Sequence, residues 1–300
     1  MEQEHNIAVA LSRQLGDAVE RAAASLVMVS GRAHQAASGL VFADGLVLTA
    51  NHVLERDSHV SVEDGAGAQF EARVAGRDSV TDLAALRLER PAGAPAALAT
   101  EPAFVGQLVL ALGRPSSLGP MASMGVVSAV GGPLRNGRQI VAQRFIQTDA
   151  TPYPGFSGGP LINGAGETLG LLTTGLVNGL PLAIPAAIAW AIGETLARQG
   201  QIRRGYLGVS SQAVALPHGQ RAGGDQAQGL LIMHVEPDSP AASCGMLLGD
   251  IIMKLDQQPT ASAEDLQLLL TGERVGRRVS VDVIRGGHLR TLPVTIAERR

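Results

Sequence analysis

The sequence predicts a mainly β protein made of antiparallel barrels or a sandwich, with a second, smaller unit behind it. Between residues 25 and 184, short runs of apolar and β-branched residues follow one another without a long helical stretch, a spacing typical of sandwiches and barrels. A length of 300 residues suits two domains. We expect an N-terminal helical arm over residues 1–24, a β domain over 25–200 and a separate domain over 201–300.

The first element expected is a helix over residues 6–24. Apolar residues recur there at helical spacing and form one stripe, made by Leu11, Leu15, Val19 and Ala22. We interpret this helix as an arm that packs on the β domain.

From Ser25 the apolar residues follow the pattern of strands. Asp44-Gly45 indicates a hairpin, because this dipeptide favours the tight turns that join antiparallel strands. A helix is expected between Pro185 and Gly200, since proline suits the first helical turn and glycine the end. The expected strands are Leu26–Val29, Ser38–Phe42, Leu46–Thr49, Val60–Val62, Phe70–Val74, Leu83–Leu88, Leu108–Leu112, Gly125–Val130, Arg144–Thr148, Gly170–Thr174 and Pro181–Ile184.

The last hundred residues are expected to form a mixed unit of strands and two short helices. Glu264 and Asp265 support the second helix, because acidic residues in a first turn stabilise the helix dipole. The expected strands are Tyr206–Val209, Gly229–Val235, Asp250–Leu255, Val279–Ile284 and Leu292–Ile296, and the helices are Ala241–Cys244 and Ser262–Leu270.

Composition excludes several classes of protein. The net charge is −3, and neither half is strongly basic, so nucleic acid and anionic membranes are not expected partners. Cys244 is the single cysteine, which rules out an internal disulfide or a cysteine-rich metal site; we expect it to be a small buried residue. The sequence contains no run of about 18 apolar residues, so no transmembrane helix is expected. The acidic start, Met1–His5, is unlike a signal peptide, so the chain as written is expected to be cytoplasmic.

The chemistry centres on Pro154-Gly155-Phe156-Ser157-Gly158-Gly159-Pro160. A serine between glycines can project its hydroxyl from a tight turn, and the turn can direct successive N–H groups at one point. These are the requirements of a nucleophile for acyl transfer and of the donors that stabilise the resulting oxyanion.

A serine nucleophile needs a base, and a neutral imidazole oriented by a carboxylate is the usual one. His52 ends the strand-like run that begins at Leu46, where a rigid sheet would present it to a cleft. Asp82 leads into the apolar run Leu83–Leu86, and a carboxylate in that position is costly without a partner. The remaining histidines lie in polar or loop-like surroundings and are expected at the surface: His5, His34, His59, His218, His234 and His288.

Together these motifs resemble those of the HtrA (Deg) form of the trypsin-like serine proteases. Thr49-Ala50-Asn51-His52-Val53, Thr81-Asp82-Leu83-Ala84 and Gly155-Phe156-Ser157-Gly158-Gly159-Pro160 match that family's His, Asp and Ser motifs in chain order and at similar separations. The resemblance implies a trypsin-like double β-barrel. It assigns His52 as general base, Asp82 as its orienting partner and Ser157 as nucleophile, with backbone N–H groups of Gly155, Phe156 and Ser157 as the oxyanion hole. Such chemistry needs no metal or cofactor.

A different hydrolase fold must be weighed, because the serine turn also satisfies Gly-x-Ser-x-Gly, the nucleophile elbow of α/β-hydrolases. That elbow leads directly into a helix, and its acid and histidine follow the serine. Here Gly158-Gly159-Pro160 would break a helix, and His52 and Asp82 precede Ser157. The sequence therefore favours the trypsin-like fold.

The position that sets substrate preference in trypsin-like enzymes lies about six residues before the serine. That position is Thr151, which is uncharged, whereas Asp149 is too far upstream to serve as a trypsin-like specificity acid. We expect an S1 pocket suited to a small or medium aliphatic side chain, which is also the preference the family resemblance implies. Its expected lining is Thr151, Thr173, Thr174, Gly175 and Ala183.

Three residues depart from the family pattern, in which asparagine is common at each position. These residues are Tyr153, Phe156 and Leu172. We expect the ring of Phe156 to narrow the mouth of the cleft, while its backbone still contributes to the oxyanion hole.

The C-terminal unit resembles the PDZ domain that is fused to HtrA proteases. Arg204-Gly205-Tyr206-Leu207-Gly208-Val209 is similar to the carboxylate-binding loop, and Gly229–Asp250 is also PDZ-like. The resemblance implies that Tyr206, Leu207, Gly208 and Val209 bind the C-terminal end of a peptide, which would add a strand to the domain.

The resemblance as a whole implies a serine endopeptidase that degrades unfolded or damaged proteins under control of its PDZ domain. The alternative is a peptide-binding scaffold or chaperone that does not cleave. Loop ordering can switch this family, so we expect a resting state to be set at Leu118–Ser123, Gly131–Gly137 and Tyr153–Phe156. The family also implies a homotrimer and a cell-envelope location, although residues 1–30 contain no aromatic residue for a trimer contact.

Overall fold

The structure is a computed structural model. It describes residues 7–33, 35–136, 139–142, 144–177, 180–222, 225–270 and 274–298. His5, His34 and Gly137, which carry sequence-based predictions, lie outside these ranges. The chain divides into two compact units, residues 1–201 and 202–300.

Helix α1 spans Ile7–Ala23 and packs through small residues. Ala18 and Ala22 are buried together with strand residues of the first unit. Leu11, predicted on the buried stripe, is 43% exposed, because the helix meets its neighbours only from Leu15 onward. The shared cluster contains Leu15, Ala18, Val19, Ala22, Leu26, Leu110, Leu112 and Ile162.

The first unit begins with a closed antiparallel barrel. Its strands are β1 (Leu26–Ser30), β2 (Ala37–Ala43), β3 (Leu46–Ala50), β4 (Val60–Glu63), β5 (Gln69–Asp78) and β6 (Leu83–Leu88), arranged in the order β1-β2-β3-β6-β5-β4. β1 pairs with β4 and closes the ring. The predicted hairpin joins β2 to β3, with Gly45 at φ +66°. All six predicted strands of this part are present.

A second closed barrel follows, in the order β11-β14-β13-β12-β7-β8, and a two-stranded ribbon of β9 and β10 lies apart from it. β9, β10 and β12 were not predicted, because pieces of three or four residues show too little alternation to be recognised. The strands are β7 (Leu108–Gly113), β8 (Met121–Gly131), β9 (Leu134–Asn136), β10 (Gln139–Ala142), β11 (Phe145–Thr148), β12 (Pro160–Ile162), β13 (Thr168–Thr173) and β14 (Leu182–Pro185).

Helix α2 closes the first unit and spans Ala186–Gln199. Gly200 adopts φ +78°, and its N–H donates to Leu196 O, so glycine ends the helix as predicted. α2 packs on β5 and β6 of the first barrel and on β13 and β14 of the second. Trp190 meets Phe42 edge to face, with ring centroids 6.1 Å apart.

The second unit is built on one antiparallel sheet, and two of the connections between its strands contain a short helix. The strand order in this sheet is β16-β17-β18-β20-β21, and β19 pairs with β18. β15 and β22 form a separate two-stranded ribbon. Its elements are β15 (Gly205–Tyr206), β16 (Val209–Ala215), β17 (Gln228–Val235), α3 (Pro240–Ser243), β18 (Ile251–Leu255), β19 (Gln258–Pro259), α4 (Ala263–Leu269), β20 (Arg278–Arg285), β21 (His288–Thr295) and β22 (Ala297–Glu298).

The prediction of a single strand over Tyr206–Val209 was wrong, because Leu207 and Gly208 form a loop between β15 and β16. Gly208 has φ +81°, and the carbonyls of Leu207 and Gly208 accept N–H groups from Ala241 and Glu236. These bonds draw the two residues out of the sheet and into a loop beside α3.

A buried ion pair joins β18 to β20 in the second unit. Arg285 Nε donates to Asp250 Oδ1 at 2.7 Å and Arg285 Nη2 donates to Asp250 Oδ2 at 2.6 Å, and the Leu247 N–H adds a third bond to this carboxylate. Burial by itself would raise the pKa of Asp250, but these bonds and the arginine charge outweigh it and hold the pKa below its ordinary value.

Cys244 is partly buried rather than fully buried as predicted, and its thiol is free. Burial raises the pKa of this thiol, which disfavours the nucleophilic thiolate form. No helix in the described ranges is both long and apolar enough to span a membrane.

Candidate active site

The end of β3 presents His52 to the space between the two barrels. A short 3₁₀ turn, Asn51–Val53, follows the strand directly, and the Asn51 N–H donates to the Asp82 carbonyl at 2.9 Å. Asp82 itself adopts φ +55° just before β6, a conformation that aspartate tolerates better than most residues. Backbone geometry therefore places His52 and Asp82 next to each other, independently of the contact between their side chains.

The Asp82 carboxylate is buried and receives three hydrogen bonds. Oδ1 accepts the backbone N–H of His52 at 2.9 Å, and Oδ2 accepts His52 Nδ1 at 2.7 Å. The hydroxyl of Thr173, at the end of β13, also donates to Oδ2. These donors compensate the burial of the carboxylate. With Nδ1 bound to Asp82, Nε2 is the imidazole nitrogen left to act as a base.

Two backbone conformations shape the turn that carries Ser157. The Phe156 N–H donates to Tyr153 O at 3.0 Å and closes a β-turn around Pro154 and Gly155. Gly155 has φ +89°, which a type II turn with proline at its second position requires at its third. Gly158 also has φ +89°, and a Cβ there would collide with the carbonyl of Ser38.

The described residues leave two N–H groups of this turn without a hydrogen bond, those of Gly155 and Ser157. The Phe156 N–H, predicted as a third oxyanion donor, is instead used inside the turn. The ring of Phe156 is buried against Gly113 and meets Tyr153 edge to face at 5.5 Å. The expectation that this ring narrows the cleft mouth was therefore wrong, because the ring points into the barrel core.

The hydroxyl of Ser157 lies within reach of Thr174. Ser157 is 8% exposed, and its Oγ is 3.3 Å from Thr174 Oγ1. Among the described residues, the Ser157 hydroxyl is hydrogen-bonded to Thr174 and not to His52. Catalytic hydrogen bonds are often long or absent before substrate binds and tighten in the complex.

The last residue of β13 and the two residues after it contact Asp82, Ser157 and His52. Thr173 bonds to Asp82, Thr174 bonds to Ser157, and Gly175 lies against the imidazole, since a Cβ there would come within 2.7 Å of His52 Nδ1. Three consecutive residues therefore contact Asp82, Ser157 and His52, the residues predicted as acid, nucleophile and base.

The residues predicted to line the S1 pocket fall into two groups. Thr151, Thr174 and Gly175 are exposed beside the serine turn. Thr173 and Ala183 are buried: the Thr173 hydroxyl is directed at Asp82, and Ala183 lies in the core of the second barrel. Asp149 accepts the Val126 N–H at 2.6 Å, so its carboxylate is directed at β8.

The predicted peptide-binding segment follows β15 in the second unit. Within the described residues, β16 pairs with β17 on one side and leaves its other edge open. Helix α4 packs beside β16. Tyr206, Leu207 and Gly208 lie at the entrance to this edge.

Sequence reasoning missed two residues of the site. Thr174 was predicted only as pocket lining, and Ser38 was not singled out. Ser38 is fully buried and joins the two barrels at the serine turn. The available signal was a serine within the apolar run Ser38–Phe42, where a buried hydroxyl needs a partner.

Comparison with known proteins agrees with this geometry. Residues 37–171 match the family model of the trypsin-like peptidase domain, and residues 205–296 match that of the PDZ domain. The chain is 36% identical over 266 residues to serine endoprotease DegS of Escherichia coli (strain K12), an alignment covering 85% of this chain and 74% of the relative. It is 35% identical over 266 residues to a probable periplasmic serine endoprotease DegP-like of Pseudomonas savastanoi pv. phaseolicola, covering 86% of this chain and 55% of that relative.

Solved structures give the same result. The HtrA-type protease AlgW with tripeptide superimposes with a TM-score of 0.79 at 30% identity, covering 95% of this chain and 97% of that chain. The serine endoprotease from Yersinia pestis superimposes with a TM-score of 0.75 at 31% identity, covering 95% and 98%. With a double barrel, a His–Asp pair facing a serine turn and a following PDZ domain, this chain belongs to the HtrA-type (DegS/DegP-like) serine endoproteases.

Proposed function

We propose that Ser157 is the nucleophile of this endopeptidase, His52 its general base and Asp82 the group that orients the imidazole. The observation that carries this assignment is the His52–Asp82 pair at 2.7 Å, held by Thr173 while the neighbouring Thr174 contacts Ser157.

The reaction proceeds through an acyl-enzyme. Ser157 Oγ attacks the substrate carbonyl as His52 Nε2 takes its proton, and the imidazolium then gives that proton to the leaving amine. In deacylation, His52 Nε2 takes a proton from water as the water oxygen attacks the acyl carbonyl. The bond between this carbon and Ser157 Oγ then breaks, Oγ receives the proton, and the carboxylic acid product leaves. The carboxylate of Asp82 stabilises the imidazolium, and the steps use groups of the protein and water.

We infer that the Gly155 and Ser157 N–H groups form the oxyanion hole. This inference is supported by the type II turn at Pro154-Gly155, which leaves both N–H groups without a hydrogen-bond partner among the described residues. Removing one such donor typically lowers the rate about 10²–10³-fold.

The proposed substrates are unfolded or damaged proteins, cleaved after small or medium aliphatic residues. Thr151, Thr174 and Gly175 border the serine turn without a charged side chain among them, which favours an apolar residue over a basic or acidic one. Thr173 contributes to this region through Asp82 rather than by lining a pocket.

We propose that the PDZ domain binds the C-terminal end of a peptide along β16 and controls cleavage. The support for strand addition is that β16 has an open edge among the described residues and that α4 packs beside this strand. Tyr206, Leu207, Gly208 and Val209 remain the proposed carboxylate-binding segment. Two structures of the relative AlgW carry a decapeptide and a tripeptide.

The inferred site of action is the cell envelope. Its support is that the DegP-like relatives are named probable periplasmic proteases. We also infer a homotrimer assembled through the N-terminal region, where α1 exposes Ile7, Val9 and Leu11.

The decisive experiment compares cleavage of casein by the wild-type protein and by Ser157→Ala, each with and without a peptide that ends in an apolar residue. We expect casein cleavage by the wild type, none by Ser157→Ala, and stimulation by the peptide. A Ser157→Ala protein that cleaves as well as the wild type would contradict the assignment of the nucleophile. Binding of peptide without any cleavage by the wild type would instead support a scaffold.

A further inference from the structure

We infer that Ser38 is a positioning residue for the oxyanion hole, fixing from the first barrel the two residues of the second barrel whose N–H groups form it. The inference rests on the proposed roles of Gly155 and Ser157. It adds a function for a buried serine that lies 117 residues away in the chain from Gly155.

The first step is that Ser38 holds both oxyanion residues by their carbonyl groups. Its hydroxyl donates to Gly155 O at 2.7 Å, and its backbone N–H donates to Ser157 O at 3.2 Å. Each carbonyl shares a planar peptide group with the N–H of the next residue, so these bonds fix the peptide plane between Gly155 and Phe156 and the one between Ser157 and Gly158. They thereby restrict the ψ angles of Gly155 and Ser157. Gly155 and Ser157 are therefore held from behind while their N–H groups stay free of partners among the described residues.

The second step is that the direction of the Ser38 hydroxyl is itself determined. Its oxygen accepts the backbone N–H of Arg114 at 2.8 Å. Because that lone pair is occupied by a donor, the hydroxyl proton is available for the Gly155 carbonyl. The Arg114 side chain is itself buried, and its Nη2 lies 3.9 Å from Glu63 Oε1.

The third step connects this support to the base. The Ser38 carbonyl accepts the Thr49 hydroxyl at 2.7 Å, and Thr49 lies on β3, three residues before His52. A Cβ on Gly158 would strike both the Ser38 carbonyl and Thr49, so these groups are packed directly behind the nucleophile. Ser38 thus links the strand that carries the base with the turn that carries the nucleophile.

The geometry predicts an effect on the transition state rather than on substrate binding. Oxyanion donors act most strongly on the charge that develops after attack, so their displacement lowers kcat more than it raises KM. Deleting a donor costs about 10²–10³ in rate, and misplacing a reacting group by about 1 Å can cost about 10²-fold. We expect Ser38→Ala to lower kcat by about 10–100-fold.

The experiment uses the full chain and compares wild type, Ser38→Ala, Ser25→Ala and Ser157→Ala. Ser25 is the matched control: it is also a buried serine of the first unit, and its hydroxyl donates to a backbone carbonyl, Ala22 O, at 3.0 Å, away from the serine turn. The readouts are kcat and KM on a fluorogenic peptide with valine before the scissile bond, the inhibition constant of a matching peptide boronic acid, and the melting temperature.

The expected result is a kcat loss in Ser38→Ala with KM within about threefold, and a boronate inhibition constant that rises by the same factor as kcat/KM falls. Ser25→Ala should keep kcat within about threefold, the scatter expected of a residue remote from the site. The inference is overturned by an unchanged kcat in Ser38→Ala, by a change in KM alone, or by an equal kcat loss in Ser25→Ala.

If Ser38→Ala does not fold, Ser38→Cys replaces it, because a thiol keeps the shape and a weaker donor. Its kcat should then fall while boronate affinity falls in parallel, and an unchanged kcat would again overturn the inference. Ser157→Ala separates the two claims: cleavage by this variant would refute the nucleophile assignment, whereas its inactivity beside a fully active Ser38→Ala would refute the role of Ser38 alone.

Discussion

At the scale of single residues, two neighbouring threonines contact different members of the proposed triad. Thr173 is buried and donates to the Asp82 carboxylate, whereas Thr174 is exposed and lies against the Ser157 hydroxyl. Their side chains point to opposite sides of the chain, as successive residues do along a strand. Thr173 therefore supports the proposed orienting carboxylate, and Thr174 contacts the proposed nucleophile.

Replacing Thr173 by valine tests the first of these contacts. Valine has nearly the same shape, but it leaves one oxygen of the buried Asp82 carboxylate with a donor fewer. Hydrogen bonds to charged groups contribute about 1.5–3 kcal/mol, so kcat/KM should fall about 10–100-fold. Steady-state kinetics on a fluorogenic peptide measures the effect.

The matched control is Thr173→Ser, which keeps the hydroxyl and should retain most of the activity. An equal loss in the serine and valine variants would show that the methyl group, rather than the hydrogen bond to Asp82, is what matters at this position.

At the scale of elements, the second unit depends on the connection between β18 and β20. Asp250 is almost fully buried and bonded to Arg285 on the neighbouring strand. A buried charge that loses its partner is costly, whereas an exposed pair contributes little. This pair therefore makes the stability of the two strands depend on pH.

We expect Asp250→Asn to weaken β18 and β20 by about 1–3 kcal/mol at pH 7. The folded state lowers the pKa of Asp250 from its ordinary value of 3.8. The stabilisation is thus fully present above pH 3.8 and is lost as the pH falls through the lower pKa of the folded state. Hydrogen exchange of the two strands, compared between variant and wild type at each pH, should show a difference at pH 7 that shrinks toward pH 3.

Asp256→Asn is the control, because Asp256 pairs with Arg274 at 3.0 Å but both side chains are a third or more exposed. This variant should change exchange little. A pH-independent difference for Asp250→Asn would contradict the role of its charge.

At the scale of the whole molecule, the two units have separate hydrophobic cores. The barrel clusters draw their residues from the first 201 positions, and the cluster around Leu230, Ile252 and Val281 draws its residues from the second unit. Cores that do not share side chains are expected to fold as separate units.

A chain ended after Gln201 should therefore remain folded and keep basal cleavage of casein while losing stimulation by an apolar C-terminal peptide. The end point retains Gly200, whose carbonyl accepts the Arg77 N–H. Circular dichroism reports folding, and cleavage with and without peptide reports control. Peptide stimulation that survives the truncation would place the peptide site outside the PDZ domain.

The sequence by itself determined the family, the fold class and most of the elements. The proposed triad of His52, Asp82 and Ser157 was predicted from short motifs, since a strand end, a strand start and a glycine-flanked turn are each encoded by adjacent residues. Gly45 and Gly200 mark their turn and helix end for the same reason: a positive φ is a property of one residue and needs no distant partner. Local signals of this kind predicted both the mainly β class and the family.

Only the tertiary structure decided how those residues are supported. It buried the Phe156 ring against Gly113, turned Thr173 toward Asp82 across 91 positions of chain, and placed Ser38 behind the serine turn across 117. It also broke the predicted strand at Leu207 and Gly208 through bonds from Ala241 and Glu236. The physical reason is that each of these contacts joins groups that are distant in the chain, and no pattern of neighbouring residues specifies which buried donor meets which acceptor.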